Sequence, residues 1–336
     1  MRKPSMLRRS AILLSPLLAV FAAGFPGSSA QAQGAQDYPA RQVTFVLPFA
    51  PGGAIDIYAR AVAQKLSDKF GKPFVVENRP GAGTVLAANS VARAAPDGHT
   101  ILVSPSPLAI NATLYKKLPY DTASDFIPVA YVADIPLVLV VHPSLPVKSI
   151  PDLIKYARDN PGKLSYASSG TGTTLHLSGE MLKSMTGIQM THVPYKGGPP
   201  ALNDVVAGHV QLVFADPSSA LQQIQAGRVR PLGLTATVRL PSAPDIPPIA
   251  EAGVPGFEAV SWTVFMAPAK TPDAILGKLH AELTAVAATP EMREQTIKLG
   301  MIPVTSPSLA QLKGFLPKEI GRWGKLVQQA GIAGSE

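Results

Sequence analysis

The sequence predicts an α/β fold of two domains with largely parallel sheets. At 336 residues, the chain is long enough for about two domains and a sizeable core. Short β-branched runs alternate with amphipathic stretches, which is the pattern of alternating strands and helices. A content of 46% hydrophobic and 15% charged residues indicates a folded globular protein and excludes a disordered chain or a coiled coil.

Eight short apolar runs are predicted to form buried strands. They are Val43–Leu47, Phe74–Val76, Ile101–Ser104, Leu137–Val141, Leu164–Ala167, Met190–Val193, Val210–Ala215 and Val229–Thr235. Most successive runs are separated by enough residues for a crossover helix, which parallel strands require.

Five stretches place apolar residues at helical spacing and are predicted to form amphipathic helices. They are Asp56–Phe70, Ile150–Asn160, Leu175–Met185, Pro272–Ala287 and Ser308–Ala330. Ser149 and Asp152 resemble a capping box at one helix start. Thr271 and Ser306 each precede a proline, which suits an N-cap followed by the first helical position.

The 34 prolines fall at the ends of predicted elements and form no linker. Without a linker, the chain is expected to pass between its two domains by strands. Leu137–Val141 and Trp262–Pro268 are the candidate crossings.

Residues 1–32 have the features of a cleaved secretory signal peptide. A basic start precedes the apolar run Ala11–Phe25, and Ala30-Gln31-Ala32 supplies small residues around a cleavage site. An uncleaved anchor is the alternative, which the proline-interrupted apolar core disfavours. Removing the four basic residues of the leader leaves 26 basic and 22 acidic residues, so the net charge falls from +8 to +4. We therefore expect an exported protein and no nucleic-acid partner.

The sequence lacks the motifs of nucleotide, metal and covalent chemistry. Two Gly-x-Gly turns begin like dinucleotide fingerprints, but Leu175 and Leu86 stand at the third glycine position. There are no cysteines, and the six histidines lack metal-site spacing. A phosphate loop and a nucleophile elbow are also missing. We expect no cofactor, no metal and no catalytic residues.

Two glycine- and hydroxyl-rich turns follow predicted strands and lead into predicted helices. Loop one is Pro48–Asp56, and loop two is Ala167–Thr174. In open α/β sheets, ligands bind beyond the carboxyl ends of strands, where glycines expose backbone N–H groups at helix starts. The two loops are therefore predicted to form facing cradles for an anion such as a carboxylate. Ordinary strand-to-helix turns are the alternative for either loop.

Several motifs, spread over about residues 37–332, also occur in a known family in this order and spacing. They are Pro51-Gly52-Gly53-Ala54-Ile55-Asp56 with Ala59-Arg60, Val76-Glu77-Asn78-Arg79-Pro80-Gly81-Ala82-Gly83, Ala95-Pro96-Asp97-Gly98, Leu114-Tyr115-Lys116-Lys117-Leu118-Pro119-Tyr120-Asp121, Gly170-Thr171-Gly172-Thr173, His176-Leu177, Val193-Pro194-Tyr195-Lys196-Gly197-Gly198, Pro255-Gly256-Phe257 and Trp262. On these motifs the sequence resembles the Bug family, the periplasmic substrate-binding proteins of tripartite tricarboxylate transporters.

The resemblance implies a type II periplasmic-binding-protein fold, an α/β fold of two lobes joined by two crossing strands. Lobe one would comprise residues 37–138 and 259–336, and lobe two residues 139–258. Ligand binding would close the lobes, which requires contacts that favour the closed state. The implied partners are a small carboxylate and integral membrane transporter subunits, and the protein is expected to be a monomer.

The resemblance also implies a set of ligand-binding residues. In loop one, Gly52, Gly53, Ala54 and Ile55 would present backbone groups to a carboxylate. Thr171, Thr173 and His176 would approach it from lobe two. The other residues expected at the site are Asp56, Ser104, Tyr195, Lys196, Gly197, Asp216 and Trp262.

Three of these residues have open alternatives. Asp56 could fix a helix start, and Lys196 could be a solvated charge. Asp216 would attract an amine or hydroxyl and repel a second carboxylate, or it could cap the following helix. Ile55 stands where a small or hydroxyl residue is common in the family, so it is expected to narrow the cleft mouth. The choice between aromatic and aliphatic acids stays open.

Two further functions remain as alternatives to uptake. The same receptor could act with a membrane sensor in signalling. An envelope enzyme could use His176 with Ser168 or Ser169 on a carboxylate ester, although no orienting acid is visible in the sequence.

Overall fold

The computed structural model describes residues 37–336, so the predicted signal peptide lies outside the described residues. The described chain contains two sheets with helices packed on both faces. No helix within residues 37–336 combines the length and apolar character needed to cross a membrane.

Eleven strands build the two sheets. In chain order they are β1 (Val43–Leu47), β2 (Phe74–Asn78), β3 (Thr100–Ser104), β4 (Phe126–Ile135), β5 (Val138–Val141), β6 (Ser165–Ser168), β7 (Thr191–Pro194), β8 (Leu212–Ala215), β9 (Arg230–Leu234), β10 (Ser261–Pro268) and β11 (Ile302–Pro303). The first sheet has the order β11-β4-β10-β3-β1-β2, and the second has the order β7-β6-β8-β5-β9.

Eleven α-helices are present in the described chain. They are α1 (Ala54–Phe70), α2 (Val85–Ala92), α3 (Pro107–Leu114), α4 (Ile150–Asp159), α5 (Thr174–Thr186), α6 (Gly198–Val206), α7 (Pro217–Gln225), α8 (Asp273–Ala288), α9 (Pro290–Lys298), α10 (Leu309–Leu312) and α11 (Phe315–Gln329). The chain is a mixed α/β protein, as the sequence predicts.

The parallel pairs are those expected of strand–helix–strand units. β1 pairs in parallel with β2 and β3, and β6 pairs in parallel with β7 and β8. β10 is antiparallel to β3 and β4, and β5 is antiparallel to β8 and β9. These antiparallel pairs involve β10 and β5, the strands that follow the two points where the chain changes sheet.

The chain passes between the sheets at two neighbouring points. Pro136 and Leu137 connect β4 to β5, and residues 235–260 return from β9 to β10. The Thr235 N–H donates to the Leu137 carbonyl at 2.9 Å, and the Leu137 N–H donates to the Thr235 hydroxyl at 2.8 Å. The Ala259 N–H then donates to the Thr235 carbonyl at 3.0 Å. Thr235 therefore binds both passages into one unit.

The expected crossing strands lie next to these passages. Trp262–Pro268 pairs along its whole length with β4, so it belongs to the first sheet. Val138–Val141 pairs with β8 and β9, so it belongs to the second sheet. The chain changes sheet just before each of them.

The core is continuous across both sheets on one side. A single cluster of buried apolar side chains includes Leu102 and Trp262 of the first sheet and Leu139 and Phe214 of the second. Separate clusters cover the opposite faces, one beneath α1 and α8 and one beneath α6 and α7. The shared cluster holds the two halves together beside the passages.

Three local predictions were wrong in detail. The predicted helix Ser308–Ala330 is two helices, because Lys313 and Gly314 separate α10 from α11. The Thr271 hydroxyl donates to the Pro268 carbonyl and does not cap α8. The Ser306 hydroxyl accepts the Tyr131 N–H, and Ser308 with Gln311 forms the capping box instead.

Candidate functional site

The strand directions place the carboxyl ends of the two sheets opposite each other. Ser261 pairs with Ile135, so the carboxyl ends of β3 and β4 lie beside the passages. Val138 pairs with Ala215 and with Leu234, which brings the carboxyl ends of β8 and β9 to the same place. β1 and β2 run parallel to β3, and β6 and β7 run parallel to β8, so the carboxyl ends of these strands lie at the same edges of their sheets. Loops one and two therefore lie at the edges of the two sheets that adjoin the passages, where the sequence predicts a cleft.

Loop one is held by a buried carboxylate. Asp56 accepts hydrogen bonds from the Gly52 N–H at 3.0 Å, from Arg60 through two nitrogens at 3.0 Å, and from Asn78 at 2.9 Å. Asn78 also donates to the Phe49 carbonyl at 3.0 Å. Asp56 is thus committed to shaping the loop, which supports the alternative role stated above.

These contacts also fix the charge of Asp56. Burial alone would raise the pKa of its carboxyl, but the hydrogen bonds from Arg60, Gly52 and Asn78 outweigh burial and lower it. The carboxylate is therefore ionised at neutral pH and keeps accepting all four hydrogen bonds.

The amides of loop one are free for a ligand. Helix α1 begins after Gly53 without a side-chain cap. Within the described chain, the N–H groups of Gly53, Ala54 and Ile55 have no protein acceptor. The Ile55 side chain packs in the core beneath α1 instead of narrowing the cleft mouth. An uncapped helix start with several free N–H groups is suited to hold a carboxylate.

Loop two is folded by its own hydroxyl groups. The Gly170 N–H donates to the Ser168 hydroxyl at 3.1 Å, and the Thr173 hydroxyl donates to the Gly170 carbonyl at 2.8 Å. Thr173 also caps α5 by accepting the His176 N–H at 3.4 Å. Thr171, by contrast, is exposed, and its hydroxyl and N–H have no partner among residues 37–336.

A stack of rings supports loop two from behind. His176 and His192 lie 3.8 Å apart between ring centroids at 17°, and Tyr166 stacks on His192 at 5.1 Å. His192 Nε2 is 2.6 Å from the Ser168 hydroxyl, and His176 Nδ1 accepts the Gly172 N–H at 3.1 Å. His176 is therefore buried and part of the support of loop two.

Burial keeps the stacked rings neutral. Burial, and then the neighbouring His192, lower the pKa of His176 to about 4, against the opposing effect of Glu180. The pKa of His192 is also lowered, chiefly by burial. Because Nδ1 of His176 accepts a hydrogen bond, its proton is on Nε2 at neutral pH.

Loop two touches the first sheet's helices directly. A methyl group on Gly172 would lie 2.2 Å from Leu114 Cδ2 at the end of α3. Beside this contact, the Ser106 hydroxyl lies 3.0 Å from the Thr174 hydroxyl and donates to the Ser261 hydroxyl at 2.8 Å. All three hydroxyl side chains are buried. They link the start of α3 to β10 and α5.

The third loop of the second sheet, Pro194–Gly198, adjoins loop two. A methyl group on Gly170 would lie 3.6 Å from the Tyr195 carbonyl. The Tyr195 hydroxyl donates to Asp204 at 2.6 Å, so its ring is turned toward α6. Lys196 is exposed and Gly197, with a φ of 116°, precedes α6.

Asp216 lies beside that loop at the end of β8. It occupies the N-cap position of α7 but makes no capping hydrogen bond. A methyl group on Gly198 would lie 3.3 Å from Asp216 Oδ2. The Asp216 side chain is half-buried, and burial raises the pKa of its carboxyl.

Trp262 and Ser104 are engaged within the protein. The Trp262 indole is 2% exposed and donates to Glu319 at 3.0 Å, as does the Trp323 indole. The Ser104 hydroxyl donates to the Pro105 carbonyl at 3.2 Å. The structure thus places Trp262 in the core, where it joins β10 to α11. Among the predicted side chains, Thr171, Lys196 and Asp216 are the ones left without a partner in the described chain.

Sequence reasoning missed the residues that support the loops. Arg60 and Asn78 were noted as parts of motifs, and His192 and Ser106 were not singled out for a role. The i,i+4 spacing of Asp56 and Arg60 could have indicated their pairing. The contacts of His192 and Ser106 join distant parts of the chain, so no local pattern indicates them.

Two surface grooves lie away from the facing loops. One, of about 490 Å³, is bordered by α4, α5 and Pro255. The other, of about 550 Å³, lies between β4, α10 and α11. Neither contains loop one or loop two. In residues 37–336, no three His, Asp or Glu side chains converge as metal ligands would.

Comparison with known proteins identifies the relatives of this chain. Residues 58–332 match the model of the tripartite tricarboxylate transporter family receptor. The protein BugT of Bordetella pertussis is 36% identical over 299 residues, which cover 88% of this chain and 91% of BugT.

Solved structures show the same fold. Rpa4515 of R. palustris, solved with adipate, is 40% identical, with a TM-score of 0.78 over 88% of this chain and 99% of that one. MatC from Rhodopseudomonas palustris, solved with bound malate, is 34% identical, with a TM-score of 0.73 over 86% of this chain and 100% of that one. Both of these neighbours are described with a small carboxylate.

Proposed function

The chain belongs to the tripartite tricarboxylate transporter receptor family, which includes the Bug proteins, and we propose that it is a periplasmic receptor for a small organic carboxylate. The ligand would lie between lobe one (residues 37–138 and 259–336) and lobe two (residues 139–258). The closed protein would deliver it to integral membrane transporter subunits, and it would act as a monomer.

The free amides of loop one carry this proposal. The N–H groups of Gly53, Ala54 and Ile55 lie at an uncapped helix start and have no acceptor within the described chain. Each helix end contributes only about 0.3–1 kcal/mol through its dipole, so several donors must act together on one carboxylate. Thr171, opposite, supplies a free hydroxyl and N–H.

The solved relatives support the ligand class. Adipate and malate are both small carboxylates, and the proteins solved with them share this fold over most of their length. The choice of ligand within that class depends on this chain's own side chains.

The enzyme alternative is weakened by the position of Ser168. Its side chain is fully buried, and its hydroxyl is engaged with the Gly170 backbone and with His192. A nucleophile must reach its substrate, which this hydroxyl does not. Signalling through a membrane sensor uses the same receptor and stays an alternative output.

The first experiment is thermal unfolding of the chain without residues 1–32 against mono-, di- and tricarboxylates. A ligand at a hundred times its Kd stabilises the native state by about 2.7 kcal/mol. For a domain of this size each kcal/mol moves the Tm by roughly 2–4 °C. A shift with one chemical group of these acids supports the proposal and defines the ligand class. No shift with any acid, in protein stripped of ligand by unfolding and refolding, contradicts it.

A substitution tests the cleft itself. Thr171→Val removes the free hydroxyl of loop two, and we expect about tenfold weaker binding with an unchanged Tm of the empty protein. The matched control is Thr191→Val, an exposed threonine at the opposite end of β7. Equal affinities for Thr171→Val and the control would remove loop two from the binding site.

A further inference from the structure

One carboxylate in the cleft has no partner. The Asp216 side chain accepts no hydrogen bond and forms no ion pair with any residue of the described chain. It is half-buried, directly after β8, whose last residue pairs with Val138 beside the passage between the sheets. Asp56, Asp204 and Glu319, by contrast, each accept at least one side-chain hydrogen bond.

Asp216 is contiguous with the predicted binding loops. Gly198 adjoins its Oδ2 atom, since a methyl group on Gly198 would lie 3.3 Å from that oxygen. The loop that contains Gly198 touches loop two through the Tyr195 carbonyl and Gly170. On its other side, Pro217 abuts Gly300, which follows α9 on the first sheet. Asp216 therefore lies where the two halves of the protein meet.

An unpaired charge in this position is unfavourable in the empty protein. Desolvation of a carboxylate costs free energy that a hydrogen-bond donor must offset. Burial raises the pKa of the Asp216 carboxyl for the same reason, and a hydrogen-bond donor on a ligand would favour its ionised form. Lys196 is the nearest cation along the adjoining loop, but it is exposed and forms no ion pair with Asp216. A donor on the ligand would supply the missing partner.

We infer that Asp216 selects carboxylates whose second polar group is a hydrogen-bond donor, namely a hydroxyl or an ammonium group. The ligand's carboxylate would occupy the amides of loop one, and its donor would meet Asp216. A ligand ending in a second carboxylate would place two like charges together and would be disfavoured. This inference rests on the proposed function, because it assumes a carboxylate at the loop amides.

The test compares acids that differ only in the group at the end opposite the carboxylate. Four series of straight-chain acids, of about three to six carbons, end in a methyl, a hydroxyl, an ammonium or a carboxylate group. For the wild-type protein, we expect the hydroxyl or ammonium series to bind at least about tenfold more tightly than the methyl and carboxylate series of equal length. Calorimetry on ligand-stripped protein measures these affinities.

Asp216→Asn removes the negative charge and keeps the size of the side chain. We expect the donor series to lose about tenfold in affinity and the dicarboxylate series to gain, so that the preference reverses or disappears. Asp159→Asn, on the surface of α4, is the matched control and is expected to change neither series. Because the wild-type ranking is measured without any substitution, the test does not depend on how the variant folds.

Each outcome bears on one proposal. A wild-type preference for dicarboxylates, or a ranking that Asp216→Asn leaves unchanged, overturns the inference while leaving the carboxylate receptor intact. Binding by none of the four series, together with no thermal shift from any mono-, di- or tricarboxylate in protein that refolds after stripping, contradicts the proposed function itself.

Discussion

Loops one and two present donors to the same cleft but are supported in different ways. Loop one is held within its own sheet by the charged network of Asp56, Arg60 and Asn78. Loop two is held by neutral rings, His176 and His192, and by contact with the other half of the protein. The comparison teaches that the support of loop one is local and ionic, whereas the support of loop two depends on the protonation of its rings and on contact with the other half of the protein.

The glycines of the two loops give the largest expected contrast. Gly172 has a φ of 72° and lies against Leu114, whereas Gly52 has a φ of 94° in open space. Gly172→Ala adds a steric clash to the backbone strain, so we expect a loss of about 2–5 kcal/mol in the free energy of unfolding. Gly52→Ala meets only the strain and should cost about 1–2 kcal/mol.

Urea denaturation measures both variants. Adding Leu114→Ala to Gly172→Ala should reduce the excess cost relative to Leu114→Ala alone, because the clash is relieved. Equal losses at the two glycines would show that loop two does not depend on contact with α3.

Acid should weaken loop two before loop one. The pKa of His176 is lowered from an unfolded value of 6.5 to about 4, so the unfolded chain binds the proton first. The free energy of unfolding is therefore highest above about pH 6.5, where His176 is neutral in both states, and decreases as the pH drops toward 4. The loss is on the order of 2–3 kcal/mol. Asp56 has a lowered pKa, so its contribution persists to lower pH.

The Tm measured between about pH 7 and pH 4 checks this order. His176→Asn keeps an acceptor for the Gly172 N–H without titrating, so it should flatten the acid-side slope. His209→Asn, an exposed histidine on the same half, is the control and should leave the slope unchanged. A slope that survives His176→Asn would assign acid sensitivity to other groups.

The smallest expected effect concerns the charged support of loop one. Asp56→Asn removes the charge that holds Arg60 and weakens the contact with Gly52. We expect a loss of about 1–2 kcal/mol, limited because Arg60 is half-exposed. Asp68→Asn, on the exposed face of the same helix, is the control and should stay within about 0.5 kcal/mol of wild type. Denaturation in urea compares the two variants.

The sequence predicted elements whose signal is local. Val43–Leu47 is a strand with the predicted bounds, and Ser149 caps α4 through the Asp152 N–H as expected. Strand β4 was not predicted, because Pro128 interrupts its apolar run and argues against a central strand. The structure accommodates Pro128 beside an irregularity in the pairing with β10.

The roles of the site residues depend on distant partners and were predicted less well. The location of loop one between a predicted strand and a predicted helix was enough to predict that it would expose its amides. It did not indicate that Tyr195 would turn to Asp204 or that Trp262 would turn to Glu319. Those partners lie on helices α6 and α11, and packing in three dimensions decides which side chain meets them. The predicted side chains without a partner in the described chain, Thr171, Lys196 and Asp216, can be recognised only after the partners of the others are known.

The hydrogen bonds of Thr235 have a consequence for protein engineering. The chain enters the second sheet at Val138 and leaves it within a bonded cluster that includes Leu137, Thr235 and Ala259. Segments whose two ends lie close together tolerate transfer as units. The stretch between Leu137 and Ala259 is therefore a natural cassette. Exchanging it between relatives would combine the loop-one amides of one receptor with the selectivity residues of another.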